Sequence, residues 1–455
     1  MATIWASQAL LGNGWAKNVE VQVNEVGQIS SVRTDTQPVG LCVETLLPAP
    51  VNAHGHAFQR AMAGMTEYQS RATSDSFWTW RQQMYRFLAC LTPEHIEAIA
   101  SYAQMEMLEA GFATSIEFHY LHHQPSGQPY ENLGEMAERI AAATKMSGIG
   151  LLLLPVLYQY GGCDQRTLSE GQRRFGNSLD HYFTLHAASH QAVQGLPVDC
   201  RVGYAAHSLR AVSANDLLEI EKASDGKPIH LHLAEQQGEV DEVQTTYGLR
   251  PVEWALQNLS LSPQYCLIHC TQMLPHEISQ LAQTRAVVGL CPITEANLGD
   301  GIFDAKRWCI SGGTFAVGSD SHVHVSLSEE LRTLEYSQRL KHMSRNVLGH
   351  VAKSTGRHLF EEVVRGGAIA AGRRTGEIIE GMWGDLIALE SPPCLGMDEL
   401  KGDRMLDYFV FAGDSRMIRE VWSAGRHLVQ NGCHIRSEHI TERYRSTIRE
   451  LRDSI

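Results

Sequence analysis

Along the middle of the chain, short and nearly continuous apolar runs recur, each followed by a longer amphipathic stretch. The runs near Leu46–Val51, Thr114–Phe118, Ile149–Leu157, Arg201–Ala205, Ile229–Ala234, Tyr265–His269, Ala286–Leu290 and Phe315–Gly318 predict buried strands. Helices are predicted between them, among them Pro93–Ala110, Glu135–Met146, Ala214–Ser224, Pro251–Leu259 and Ser328–Leu340. Strands that are apolar on both faces belong in a parallel sheet covered by helices. Eight strand–helix units therefore predict an α/β fold, a closed (β/α)8 TIM-like barrel, with a doubly wound open sheet as the rival.

The two ends of the chain are patterned differently. Residues 1–45 alternate apolar and polar positions, as in Val19-Glu20-Val21-Gln22-Val23, which suits half-buried antiparallel strands. Strand-like stretches return after Gly381, at Asp385–Leu389 and Glu420–Gly425, and a charged surface helix is expected over Thr441–Leu451. The expected division is a small β-sandwich domain built from both ends, residues 1–46 and 373–455, beside a barrel of residues 47–372.

With 455 residues, 43% hydrophobic and 20% charged, the composition is that of an ordinary globular chain. The net charge of −13 and the absence of any Lys/Arg block argue against nucleic acid or an anionic membrane as partner. The start lacks signal-peptide character, and the most apolar segment, Ile149–Leu157, is far short of the ~20 residues that cross a bilayer. Ten cysteines without a C-x-x-C pair read as reduced thiols, so a cytoplasmic location is expected.

Histidine departs from the ordinary, with 22 copies of the side chain that most often binds metal and titrates nearest neutrality. Chance would give about one H-x-H pair in such a chain. There are three: His54/His56, His230/His232 and His322/His324. Alternate residues of a strand share a face, so both members of a pair can aim at one point. His54 and His56 follow the first strand, His232 lies near the end of the fifth, His269 ends the sixth, and Asp320 follows the eighth. In a barrel these ends meet on one face, where the functional loops lie. Three or four imidazoles and a carboxylate there suit a catalytic zinc or ferrous site with an open position for water. Glu235, three residues past His232, reaches the same place without being a ligand. The fourth strand end, Gly203–Ser208, offers no lysine to bridge two metals, so one metal per chain is expected.

The stretches Val51–Gly64, Ala206–Arg210, His232–Gln236, Thr294–Gly301 and Ser319–His322 resemble the amidohydrolase superfamily, in its deaminase branch, and the resemblance covers essentially the whole chain. Phe58-Gln59-Arg60 and His207-Ser208-Leu209-Arg210 are not general features of that superfamily. They resemble members that hydrolyse an N-formimino amino acid with two carboxylates, releasing ammonia in the course of histidine breakdown. Ala206 and Ile293 depart from the pattern without touching a ligand position. The resemblance implies His54, His56, His232 and Asp320 as ligands of one zinc ion. It gives Glu235 and His269 to proton transfer and polarisation, with Asp320 also as base, and Gln59, Tyr120 and His207 to substrate contact. A small-molecule dicarboxylate needs local cations against the overall negative charge. Arg81 and Arg210 are the candidates, because a guanidinium fork matches a carboxylate. Arg81 lies in a long excursion after the first strand, of the kind that often forms a lid. A homodimer is expected.

The other histidines are read as bystanders: His122 and His123 in a solvent-facing Gln/Pro/Gly loop, His230 in the core, His322 orienting Asp320, and His324 as structural. Trp78 and Trp80 are read as packing of the excursion. His276-Glu277 lacks the second histidine of a zincin site. Two rival readings are a deaminase acting on a nucleobase or related ring, and a non-catalytic scaffold on the same fold.

Overall fold

The computed structural model describes residues 2–67, 75–395 and 400–452. The predicted barrel is present. Its strands run in chain order as Val51–Asn52, Thr114–His119, Gly150–Leu157, Tyr204–Ser208, Ile229–Leu233, Tyr265–His269, Val287–Leu290 and Thr314–Val317, with the short Arg201–Val202 also on Gly150–Leu157. Every pairing in this sheet is parallel. The continuous apolar runs have the predicted cause, since all of Gly150–Leu157 is buried.

The last strand meets the first through backbone hydrogen bonds. Ala53 N donates to Val317 O at 2.9 Å, Asp320 N to His54 O at 3.0 Å, and His56 N to Asp320 O at 3.0 Å. The expected first strand, Leu46–Val51, is split by this arrangement. Leu41–Pro48 belongs to the other sheet, and Val51–Asn52 begins the barrel. Pro48 and Pro50 have no N–H to give a ladder, so one continuous strand cannot run through them.

Both chain ends share that other, eight-stranded sheet. At its middle, Leu41–Pro48 runs parallel to Ala2–Leu11 and antiparallel to Leu386–Leu389. Gly14–Val23 and Ile29–Arg33 extend one side, while Ile418–Ser423, Arg426–Gln430 and Cys433–His434 extend the other. It buries its own core, including Ile4, Val21, Leu46, Leu386 and Trp422. The charged C-terminal helix, Ser437–Arg452, is longer than its pattern suggested, and it docks: Tyr444 stacks on Tyr102 with centroids 4.0 Å apart, and Ile440 and Leu451 are buried. No described helix is long and apolar enough to cross a membrane.

A buried ion network ties the barrel to this sheet. Arg373 holds both oxygens of Asp385 at 2.7 and 2.9 Å and reaches Asp199 Oδ2 at 3.0 Å, while Arg426 pairs with Asp199 at 2.7 and 2.8 Å. Burial alone would raise the Asp199 pKa, but the two guanidinium groups hold it below the usual carboxylate range. Arg373→Ala leaves the buried Asp385 without its cation and Asp199 with Arg426 alone, and should cost about 3–5 kcal/mol. Chemical denaturation measures this, and a loss below about 1 kcal/mol would mean that the network contributes little.

Candidate active site

The strand ends deliver the expected side chains to one point. In Ile229–Leu233, alternation turns His230 and His232 to the same face; His230 sits deeper and bonds Ala370 O at 2.9 Å, and His232 reaches the end. His56 Nδ1 donates to Phe118 O at 2.9 Å and His232 Nδ1 to His207 O at 3.0 Å. A carbonyl can only accept, so the proton is fixed on Nδ1 and the Nε2 lone pair of each ring is free. His54 Nε2 lies 3.1 Å from His232 Nε2, and Asp320 Oδ1 lies 3.5 Å from His54 Nε2 and 3.3 Å from His56 Nε2. Burial, joined by neighbouring imidazoles, holds His54 and His232 well below the usual histidine range, and burial lowers His56 too. Two lone pairs cannot face each other at such a distance without a proton or a cation between them. Three neutral imidazoles with donor atoms within 4.8 Å of one another, beside a carboxylate, fit a divalent metal of the zinc type.

The backbone here is unusual. Ala234, His269, Cys270, Asp320 and His322 all take positive φ without being glycine, and they sit at the ends of three barrel strands. Such conformations cost energy and persist only where surrounding contacts enforce them. Asp320 is enforced by the seam bonds to His54 and His56. A Cβ on Gly318 would fall 2.5 Å from His54 N and 2.6 Å from its O, so the seam needs glycine at that position.

His269 and Glu235 face the histidine cluster without joining it. His269 Nδ1 donates to Glu295 Oε1 at 3.2 Å, and its Nε2 lies 3.8 Å from Glu235 Oε1 and 3.9 Å from Asp320 Oδ2. Burial opposes a charge on this ring, but Glu235, Glu295 and Asp320 outweigh it and push its pKa up to about 10. Glu235 Oε2 accepts from Arg210 Nη2 at 3.0 Å. Behind them, Glu239 accepts from Ala234 N and Glu235 N, both at 3.0 Å, and fixes the loop.

Arg81, Arg210, Gln59, Tyr120 and His207 all line one pocket, together with His56, His232, Glu235, His269 and Asp320. Gln59 Nε2 donates to Tyr120 OH at 3.0 Å, and burial raises the Tyr120 hydroxyl well above its usual range. The helix Phe77–Leu88 supplies a wall through Phe77, Trp80, Arg81, Met84 and Tyr85, spaced i, i+3, i+4, i+7 and i+8. Trp80 is therefore pocket lining, whereas Trp78 backs the Arg81 guanidinium at 4.5 Å. Tyr158, Phe175 and Leu298 complete the wall. Nothing in their sequence context marks them as lining.

Several expectations need correcting. His122 and His123 are buried, their Nε2 atoms bonded to Val156 O at 3.1 Å and Gly176 O at 2.8 Å. Their polar, glycine-containing loop folds inward because these backbone carbonyls satisfy the rings. His322 bonds Ser319 Oγ at 2.8 Å, and Asn52 holds Ser319 in turn, so its influence on Asp320 passes through the backbone. His324 lies at the surface, 3.9 Å from Glu329.

Comparison with known proteins agrees with this geometry. Residues 45–428 match the Amidohydrolase family, whose members are typically metal-dependent, and the chain belongs to it. Residues 1–40 match the N-terminal domain of formimidoylglutamate deiminase HutF. Over its full length the chain is 41% identical to the formimidoylglutamate deiminase of Pseudomonas aeruginosa, covering 100% of both. It is 26% identical to the 8-oxoguanine deaminase of that organism, over 78% of this chain and 75% of the other. An amidohydrolase structure from Brucella melitensis superposes with a TM-score of 0.94 at 40% identity, covering 99% of this chain and 100% of that one. An adenosine deaminase from Xanthomonas campestris, solved with bound zinc, shares the fold, with a TM-score of 0.81 at 22% identity over 100% and 98% of the two chains.

Gly318→Ala should displace the His54 backbone and separate Asp320 from the histidines. Bound metal per chain, read by elemental analysis, should fall to a small fraction of wild type while the far-ultraviolet circular dichroism is kept. Full metal occupancy in this variant would show that the seam has slack.

Proposed function

We propose that the protein hydrolyses N-formimino-L-glutamate to N-formyl-L-glutamate and ammonia, as a formimidoylglutamate deiminase using one zinc ion per chain. The observation that carries this reading is a metal-type donor cluster and two arginines lining a single pocket, in a chain 41% identical throughout to a deiminase of that name. A ring deaminase needs stacking and amide contacts, and a dicarboxylate needs paired guanidinium groups. A histidine-degrading enzyme acts in the cytoplasm, and a homodimer is the proposed assembly. Residues 47–372 are the proposed catalytic domain.

His54, His56, His232 and Asp320 would hold the ion. When bound, the ion supplies a Lewis acid that makes water nucleophilic at neutral pH. The side chains do the rest. Arg81 and Arg210 pair with the two substrate carboxylates, and Gln59, Tyr120 and His207 fix the formimino group against the cluster. Asp320 takes a proton from the attacking water, whose oxygen bonds to the formimino carbon. His269, kept charged by three carboxylates, stabilises the negative charge that develops on that oxygen. The proton held by Asp320, and a second that Glu235 takes from the hydroxyl so formed, pass to the terminal nitrogen; the C–N bond breaks, the formyl C=O forms, and ammonia leaves.

His232→Ala should lose metal and activity together. Glu235→Gln should keep the metal and lose at least ~10²-fold in kcat. Arg81→Ala and Arg210→Ala should each cut kcat/KM for formiminoglutamate by a factor equivalent to about 2–5 kcal/mol. Ammonia release and metal content measure all four. Wild-type turnover of guanine or cytosine faster than formiminoglutamate would replace this reading with the ring-deaminase one.

A further inference from the structure

Arg210 enters the pocket already engaged. Its Nη2 donates to Glu235 Oε2 at 3.0 Å and lies 3.8 Å from Glu239 Oε2, with all three side chains buried. Its Nε is enclosed without a partner, so that edge of the guanidinium is shut off from the pocket. A carboxylate entering the cavity meets the Nη end, where Nη2 already carries Glu235. The two resident carboxylates differ in freedom. Glu239 has both oxygens committed to the amides of Ala234 and Glu235. Glu235 Oε2 is held by Arg210, and its Oε1 stands 3.8 Å from His269, beyond a hydrogen bond. A third carboxylate at one guanidinium repels the other two, and the pair that can give way is Glu235–Arg210.

We infer that Arg210 is a substrate-operated latch on Glu235. In the free enzyme it ties the proton-delivering carboxylate down. A substrate carboxylate arriving at the Nη end releases Glu235 to turn toward the scissile nitrogen. The inference rests on the deimination proposed above and adds a selectivity device to it. A formimino compound without that carboxylate can enter the pocket but finds Glu235 still tied, so binding energy from a remote group appears in kcat and not only in KM.

The test uses zinc-loaded wild-type enzyme with N-formimino-L-glutamate and its two analogues, 4-formiminobutyrate and 2-formiminobutyrate, each lacking one carboxylate. The analogue that fails to reach Arg210 should lose at least about tenfold in kcat at saturation, beyond any rise in KM. Arg210→Met should bring kcat for that analogue and for the full substrate to within about threefold of each other. Crystals of the wild-type enzyme with N-formyl-L-glutamate should show Glu235 Oε2 beyond about 4 Å from Arg210, outside ion-pair range. Crystals with the truncated product should show the pair intact. An effect of both analogues on KM alone, or an intact Glu235–Arg210 pair in the N-formyl-L-glutamate complex, overturns the latch while leaving the deiminase reading in place. Absence of ammonia from N-formimino-L-glutamate itself would instead remove the reaction, and the latch with it.

Discussion

Three backbone hydrogen bonds, Ala53 N to Val317 O, Asp320 N to His54 O and His56 N to Asp320 O, close the barrel between its first and last strands. The same stretches carry His54, His56 and Asp320, three of the four proposed metal ligands. Closure of the fold and assembly of the donor cluster are therefore one event. Gly318 admits the approach, the Asn52–Ser319–His322 bonds buttress it, and Asp320 is held at a φ that an isolated chain would avoid. A site built this way is pre-organised, because its ligands cannot drift apart without opening the barrel.

Much of this was legible in the sequence. Period-2 parity put His54 with His56 and His230 with His232, and the barrel rule put strand ends on one face. The burial of His230 below His232 followed from depth along a single strand. The pocket wall was not legible for a physical reason. Phe77, Trp80, Met84 and Tyr85 have the spacing of an ordinary core-facing helix, and spacing alone cannot tell a face that meets protein from one that meets a ligand. The positive φ values were hidden because none of those positions is glycine. His122 and His123 misled in the opposite direction: their neighbours are loop formers, yet backbone carbonyls receive the rings.

Charge in the pocket is arranged by pairing. A chain with a net charge of −13 places Arg81 and Arg210 against aromatic faces, at 4.5 Å from Trp78 and 6.0 Å from Phe77 respectively. The aromatic surfaces position both cations, and Arg210 is in addition paired with Glu235 at 3.0 Å. His269 likewise has carboxylates around it that favour its charged form. The cluster thus has neutral imidazoles where a metal fits and, facing it, a ring whose charged form is favoured, burial serving the first and carboxylates the second.

The placement of Leu41–Pro48 has a consequence for how the molecule is made. One edge of this strand is served by Ala2–Leu11, which precedes it, and the other by Leu386–Leu389, some three quarters of the chain later. On a ribosome adding roughly 5–20 residues each second, the second edge stays unpaired for tens of seconds. An apolar strand with a free edge is a template for pairing with another chain. The nascent polypeptide therefore carries an unpaired edge throughout barrel synthesis, a period of exposure that the finished sheet no longer shows.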